Sequence, residues 1–259
     1  AEMVHARAVR MTRYAELQVT SYFSFLRGVS SPAELFAQAK RLGLSAIGIT
    51  DRNTLAGIVQ AHIAAKDTGM RLVVGCRLDL ADFPPVLVYP MDRAAYGRLC
   101  RLLSIGKARA GKGKCLLNWA DLAEWGDGLQ AVLVPDVAGE DCALHLRKLR
   151  DAFGDRAYMA LTLRRRPNDQ MRLYELANLA HARRVKTVVT NDVLFDIHDR
   201  RILQDVVTCV RHNTTIDRAG FVRERHADRY LKPPQEIARL FGRYPEAVSY
   251  TQLKIPTNA

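Results

Sequence analysis

Three short polar stretches stand where chemistry could be done: Thr20-Ser21, Thr50-Asp51-Arg52-Asn53 and Thr190-Asn191-Asp192-Val193. Each follows an apolar run directly (YAELQVT, LSAIGIT and VKTVVT). Working residues of α/β folds gather where strands end and loops begin, so these positions are candidates for a site. The same residue types also cap helices, and any one stretch taken alone is accounted for that way. Two aspartates, Asp51 and Asp192, cannot by themselves hold a multinuclear metal site, which needs several carboxylates or imidazoles converging. The histidines do not supply them. His62, His145 and His181 fall in helical patterns, and none has the i, i+4 partner of a zinc-protease pair. His198 follows Asp192 closely enough to be checked for a replacement role. The five cysteines form no CxxC pair, so a zinc ribbon or disulfide framework is not expected.

A second chemical feature is charge. The 259 residues carry a formal net charge of +12, which favours a polyanionic partner, nucleic acid ahead of a membrane surface. Between residues 93 and 120 stand Arg93, Arg98, Arg101, Lys107, Arg109, Lys112 and Lys114 without one acidic residue. That run is a candidate contact for DNA phosphates or a partner domain, weighed against an ordinary solvated face. Arg164-Arg165-Arg166 is a second basic patch. Neither has interleaved aromatics, so base stacking is not indicated. No apolar run approaches the ~18 residues that cross a bilayer, and the first ten residues lack the apolar core of a secretory signal. A cytoplasmic protein is expected.

The elements that must position these groups alternate regularly. Strands are expected over 14–20, 44–50, 72–80, 86–89, 129–134, 158–163 and 185–190. Between them lie helical patterns, the first opened by Ser31-Pro32-Ala33-Glu34 in capping-box form. Others run through 57–68, 93–105, 143–153, 169–183 and 201–211. Strands alternating with helices imply βαβ units around a parallel sheet, and six or seven such units suit a barrel better than an open sheet. Beyond residue 212 the pattern gives way to a basic, loop-rich tail with short helices.

The blocks YAELQVTSYFSFLRG, AIGITDRNTLAG, VVGCRLDL, VVTNDVLF and LQDVVTCVRHNTTID resemble, in order and spacing, the polymerase-and-histidinol-phosphatase (PHP) domain of bacterial C-family DNA polymerases. SFLRG, DRNTLAG, RLDL and LQDVVTCVR bring the resemblance nearest to the error-prone branch. It covers roughly residues 13 to 248. It implies an α/β fold, a distorted (βα)7 PHP barrel with a C-terminal helical and loop extension. The expected divisions are an N-terminal extension over 1–12, the barrel over 13–211, and the start of a following module over 212–259, cut short before the polymerase palm.

Intact members of the family hold a cluster of divalent metals, and the departures from their pattern are systematic. The opening His-x-His is Gln18-Val19-Thr20 here, the Asp-His pair is Asp51-Arg52, an expected glutamate is Arg77, and the final Asp-x-His is Asp192-Val193-Leu194. Asp51 and Asp192 are the remaining ligand-competent side chains, so no metal is expected in this domain. Arg52 and Arg77 are expected to take the metals' place as counter-charges to those aspartates. Resemblance further implies a nucleotidyltransferase, an error-prone DNA-directed DNA polymerase of replication and repair past DNA damage. Its catalytic aspartates and Mg2+ would lie in a downstream palm. Its partners would be DNA, its own palm and thumb domains, the sliding clamp and a Y-family-like mutagenesis partner. The rival readings are a metal-dependent phosphoesterase or proofreading exonuclease, and a plain DNA-binding module.

Overall fold

The computed structural model describes residues 13–224 and 226–248; the expected extension over 1–12 and the end of the basic tail lie outside the described residues. Among the described residues eight strands are formed: β1 (Ala15–Val19), β2 (Ala46–Ile49), β3 (Leu72–Val74), β4 (Cys76–Leu78), β5 (Val86–Pro90), β6 (Leu129–Leu133), β7 (Ala157–Leu161) and β8 (Lys186–Val189). The helices between and after them are α1 (Pro32–Arg41), α2 (Ile58–Thr68), α3 (Arg93–Arg109), α4 (Trp119–Trp125), α5 (Glu140–Phe153), α6 (Asp169–Ala182), α7 (Arg201–Arg211), α8 (Pro234–Leu240) and α9 (Pro245–Val248).

Local chemistry sets several of these boundaries. The Ser31 hydroxyl accepts from the Glu34 amide while the Glu34 carboxylate accepts from the Ser31 amide, a complete capping box that opens α1. Helix α1 then buries Leu35, Phe36 and Ala39 on one stripe. Helix α2 stops where Gly69 turns left-handed at φ 68°. Helix α4 has no counterpart among the expected elements. It is short, and Trp119 at its start stacks on Phe83 at 4.3 Å.

The strands make two sheets, β1-β2-β3 and β4-β5-β6-β7-β8. The expected all-parallel arrangement is corrected at β5, which runs antiparallel to both β4 and β6. The reason is length. Only residues 79–85 join β4 to β5, and a parallel pair needs a crossover of about a dozen residues or more. The expected single strand over 72–80 is also divided, at Gly75. A Cβ there would lie 2.8 Å from the Tyr89 ring and 2.9 Å from the Thr50 methyl, so the backbone passes too close for any other residue.

No continuous ladder closes the sheets among the described residues, but isolated bridges tie them. Val19 pairs with Val193, and Arg52 with Arg77. One apolar cluster is built from strand residues and Val134 just past β6, including Leu17, Val73, Leu87, Tyr89, Val132, Tyr158 and Val188, and so lies inside the sheets. A larger cluster lies between strands and helices. Leu231, Ile237, Phe241, Ala247 and Val248 belong to that larger core, so the chain after residue 212 packs onto the same body as the strands. Tyr230 also bridges to Phe195.

Candidate functional site

The site forms where the carboxyl ends of β1, β2, β7 and β8 meet. Asp192 sits just beyond β8 with φ 48°, a left-handed conformation that aspartate tolerates. Its backbone neighbours are fixed across the gap between sheets: Val193 N–H donates to the Gln18 carbonyl (2.8 Å), and Thr20 N–H to the Val193 carbonyl (2.9 Å). Between Glu16 and Val19 the pairing of β1 with β2 shifts register, since Glu16 faces Ile47 but Val19 faces Ile49. Such an irregularity re-aims side chains. Here Gln18 bridges two partners, donating from Nε2 to Asp192 Oδ1 (2.8 Å) and accepting at Oε1 from the Thr190 hydroxyl (2.8 Å).

The main counter-charge to Asp192 is neither Arg52 nor Arg77 but Arg229. Its Nη2 lies 2.7 Å from Asp192 Oδ2, its Nε donates to the Asp192 carbonyl at 2.8 Å, and its Nη1 reaches Glu224 at 2.5 Å. Arg164 Nη1 stands 3.4 Å from the same Oδ2. Arg77 Nη1 is at ion-pair range from Oδ1, 3.9 Å, beyond hydrogen bonding. Burial alone would push the Asp192 carboxyl up; Arg229, then Arg164, Arg77 and Arg52, outweigh it and hold the group well below the ordinary carboxylate range.

Arg52 and Arg77 converge instead on Asp79. Arg52 Nη1 and Arg77 Nε each lie 2.9 Å from one of its oxygens, and the Asp79 amide donates to Asn53 Oδ1. Asp79 loses some stability of its charge to burial, but Arg77 and Arg52 more than restore it and lower its pKa.

Asp51 is held by neutral donors. The Ser21 amide (2.9 Å) and the Ser24 hydroxyl (2.7 Å) reach Oδ1, and the Ser21 hydroxyl (2.7 Å) reaches Oδ2. Burial raises its pKa, and the bonds from Ser24 and Ser21 only partly oppose that. Beneath this layer lies another buried carboxylate, Glu16, which accepts from the Tyr14 hydroxyl (2.7 Å) and the Gln18 and Asn191 amides. Burial pushes it up to about 7 despite those bonds and the nearby Lys232.

Of the expected positions, Gln18, Thr20, Asp51, Asp192 and Leu194 are buried at this mouth, with Arg52 and Arg77 half-buried beside them. His198 stays exposed, edge-on to Tyr230 and 3.7 Å from Asp199. Sequence reasoning singled out Ser21, in the Thr20-Ser21 stretch, but missed Arg229, Ser24, Asp79 and Glu224. Asp79 carried a signal, since Arg77 and Asp79 stand at i, i+2 within the strand expected over 72–80, where they would share one face. Arg229 carried none, lying 37 positions after its partner in a stretch without periodicity.

The donor set does not fit a metal cluster. Among the described residues no three His, Cys, Asp or Glu side chains are placed to share a cation. Of the two aspartates, one is clamped by guanidiniums and the other has its oxygens filled by serines.

The basic run maps to α3 and the loop after it. Arg93, Arg101, Lys107, Lys112 and Lys114 are exposed. Arg98 pairs with Asp127 (3.5 Å) and Arg109 with Asp121 (2.6 Å), acids that lie just past the stretch. In the second patch Arg165 pairs with Asp228 (2.5 Å) and Arg166 with Asp136 (2.9 Å). No helix among the described residues is long and apolar enough to cross a membrane.

A family model for the PHP domain matches residues 16–188. The chain is 69% identical over 237 residues to error-prone DNA polymerase 1 of Agrobacterium fabrum and 63% identical over 239 residues to error-prone DNA polymerase 2 of Rhizobium meliloti. Each match covers 92% of this chain and 22% of the relative, so the chain spans about a fifth of the length of these relatives. Among solved structures it is similar to a proposed metal-dependent phosphoesterase from Bifidobacterium adolescentis (TM-score 0.54, 14% identity, 70% of this chain and 87% of that one). An amidohydrolase from Chromobacterium violaceum gives TM-score 0.52 at 15% identity, with the same coverage. At such identities these two speak for the fold alone.

Proposed function

The chain belongs to the PHP domain family, and from that premise we propose that it is the PHP module of an error-prone DNA-directed DNA polymerase, serving that enzyme as a structural part. Two observations support this reading together. Identity to error-prone polymerases is 69% over nearly the whole chain, and the positions that would ligate metals carry Gln18, Thr20, Arg52, Arg77 and Leu194. The second carries the assignment of role: without converging ligands there is no activated water, and hydrolysis of phosphate esters or DNA ends has no catalyst here.

In this reading the two sheets form a distorted (βα)7 barrel over 13–211, and the segment after 212 leads toward the next module. The domain braces the palm and thumb, Mg2+ works at the palm, and the full protein extends primers on damaged templates in the cytoplasm beside the sliding clamp and a Y-family-like partner. The exposed cations Arg93, Arg101, Lys107, Lys112 and Lys114 are the surface offered to DNA phosphates or to a neighbouring domain.

The test is primer extension by the full-length protein on intact and abasic-site templates, with and without the paired change Asp192→Ala and Arg229→Ala. The expected result is synthesis by the parent that is metal-dependent, and a variant whose activity falls in step with its thermal stability. A parent without nucleotide transfer refutes the assignment. A variant that keeps its stability but loses transfer refutes the structural role.

A further inference from the structure

A second cavity lies at the end of the strands opposite the mouth. β3 runs parallel to β2, whose carboxyl end is at the mouth, so Leu72 at the start of β3 stands at the far end. β5 finishes at that far end too, with Pro90 facing Leu129 at the start of β6. β4 pairs with β5 only from Val86 to Val88, and β3 pairs with β2 alone among the described residues. The sheets therefore part between β3 and the last residues of β5. A groove of about 840 Å3 opens there, walled by α2 and the start of α3.

Its walls are apolar: Ile58, Val59, Met70, Leu72, Val74 and Tyr96 line it, and Val59 is 71% exposed. Its rim is cationic. Lys66 and Arg93 are exposed there beside His62. Asp92, the one acid among the described lining residues, is already engaged as the N-cap of α3, accepting from the Ala95 amide at 2.7 Å. Its floor is an open strand edge. The Ile47 N–H donates to the Arg71 carbonyl (3.0 Å) and the Gly75 N–H to the Ile49 carbonyl (3.1 Å), so residues 71, 73 and 75 turn their backbone groups to β2. Those of Leu72 and Val74 face the groove, because backbone groups alternate in direction along a strand. A small anion would use the walls and the rim but leave the edge unpaired; an extended peptide uses all three. Main-chain bonds to the edge give such a peptide affinity, and alternate side chains in the groove give it specificity. Charge selects its composition. Neither end of this chain has the acids required: residues 1–12 hold Arg7 and Arg10 against Glu2, and 249–259 hold Lys254 and no acid. We propose that the groove between α2 and α3 is a docking site for an acidic, extended segment of a partner protein, which adds to β3 as a further strand. The groove is remote from the mouth, and the inference does not rest on the polymerase reading.

The test uses a capped heptapeptide of alternating glutamate and valine, its counterpart with lysine for glutamate, and the acidic peptide with its backbone N-methylated throughout. Amide hydrogen exchange of the 259-residue chain is followed with and without each peptide. In the free chain the Leu72 and Val74 amides are expected to exchange faster than that of Val73, and the acidic peptide should slow both in a saturable manner. The lysine and N-methylated peptides should not. The paired change Lys66→Glu and Arg93→Glu should weaken binding about tenfold, the loss of two rim contacts and their replacement by repulsion. Thermal unfolding checks that this variant is folded, and Val59→Glu, at an exposed position on the groove wall, is a second variant expected to bind less. Four outcomes overturn the proposal. They are Leu72 and Val74 amides as protected as Val73 before any peptide is added, no saturable binding up to about 1 mM, equal binding of the lysine or N-methylated peptide, and binding undiminished in the folded variants. Full-length protein that fails to bind a peptide the 259-residue chain binds would show the groove filled by its own later polypeptide, and overturns the partner assignment.

Discussion

Replacing Arg229 with alanine is the sharpest single perturbation of this mouth. The side chain is 13% exposed and its partner Asp192 only 6%, so the pair is effectively desolvated. Removing one member of a buried pair leaves an uncompensated charge, a loss of about 3–5 kcal/mol. Two features pull the figure to the low end. Gln18 keeps its bond to Oδ1, and Arg164 at 3.4 Å can close on the vacated Oδ2. A loss of about 3 kcal/mol is therefore expected, and for a protein of this size that corresponds to a fall in Tm of roughly 6–12 °C. Arg52→Ala is the control: its pair with Asp79 is a quarter to a third exposed, and solvent screening limits its loss to under about 1 kcal/mol. Urea unfolding of Arg229→Ala, Asp192→Asn and the double variant completes the cycle, and strong non-additivity is expected because each single change strands the other partner. The pH dependence has a fixed sign. Asp192 has a folded pKa below its unfolded one, so its contribution is present above pH ~4 and is lost as pH falls through the lower folded value. The gap between parent and Arg229→Ala should accordingly shrink below pH ~4. Additive losses of the size seen for Arg52→Ala, at every pH, would refute the reasoning.

Three other outcomes are expected. Asp51→Asn should cost under about 1 kcal/mol and Asp51→Ala about 2–3 kcal/mol in urea unfolding, because Asp51 serves as an acceptor for Ser21 and Ser24 and its charge is incidental; equal losses would show that the charge matters. Glu16 is pushed up to about 7 by burial, so the folded state holds its proton where the unfolded state does not. Stability is full below about pH 4.5 and falls by on the order of 3 kcal/mol as pH rises to about 7, a slope that Glu16→Gln should flatten. Added zinc or manganese should leave Tm unchanged and elicit no phosphoesterase turnover in the chain, since no three ligands converge among the described residues; binding of two or more ions per chain would contradict the geometry.

What the sequence discloses of this protein is what depends on near neighbours. The box at Ser31 and Glu34 is closed by residues three apart, and it stands as expected. Strand centres are legible for the same reason, since runs such as LQAVL and KTVV carry their preference within themselves. Direction and register are not local. Nothing in VLVYP says that β5 runs against its neighbours; that follows from the short connection to β4 and the pairing it forces. The candidate site divides along the same line. Asp51 and Asp192 could be found from their position after apolar runs, whereas the choice of Arg229 over Arg77 as counter-charge depends on where a loop with no periodic pattern comes to rest.

The Gln18–Asp192 bond joins residues 174 positions apart, and Arg229 comes later still. On a ribosome adding about 5–20 residues per second, roughly 10–35 s separate the emergence of β1 from that of the groups that complete its hydrogen bonds. Through that interval β1 presents Glu16, Gln18 and an unpaired edge beside Leu17 and Val19, the combination that invites wrong strand partners. The order of synthesis thus keeps the mouth incomplete until Arg229 has emerged, and slow or interrupted translation between residues 20 and 230 is expected to act on yield rather than on the activity of the chains that finish.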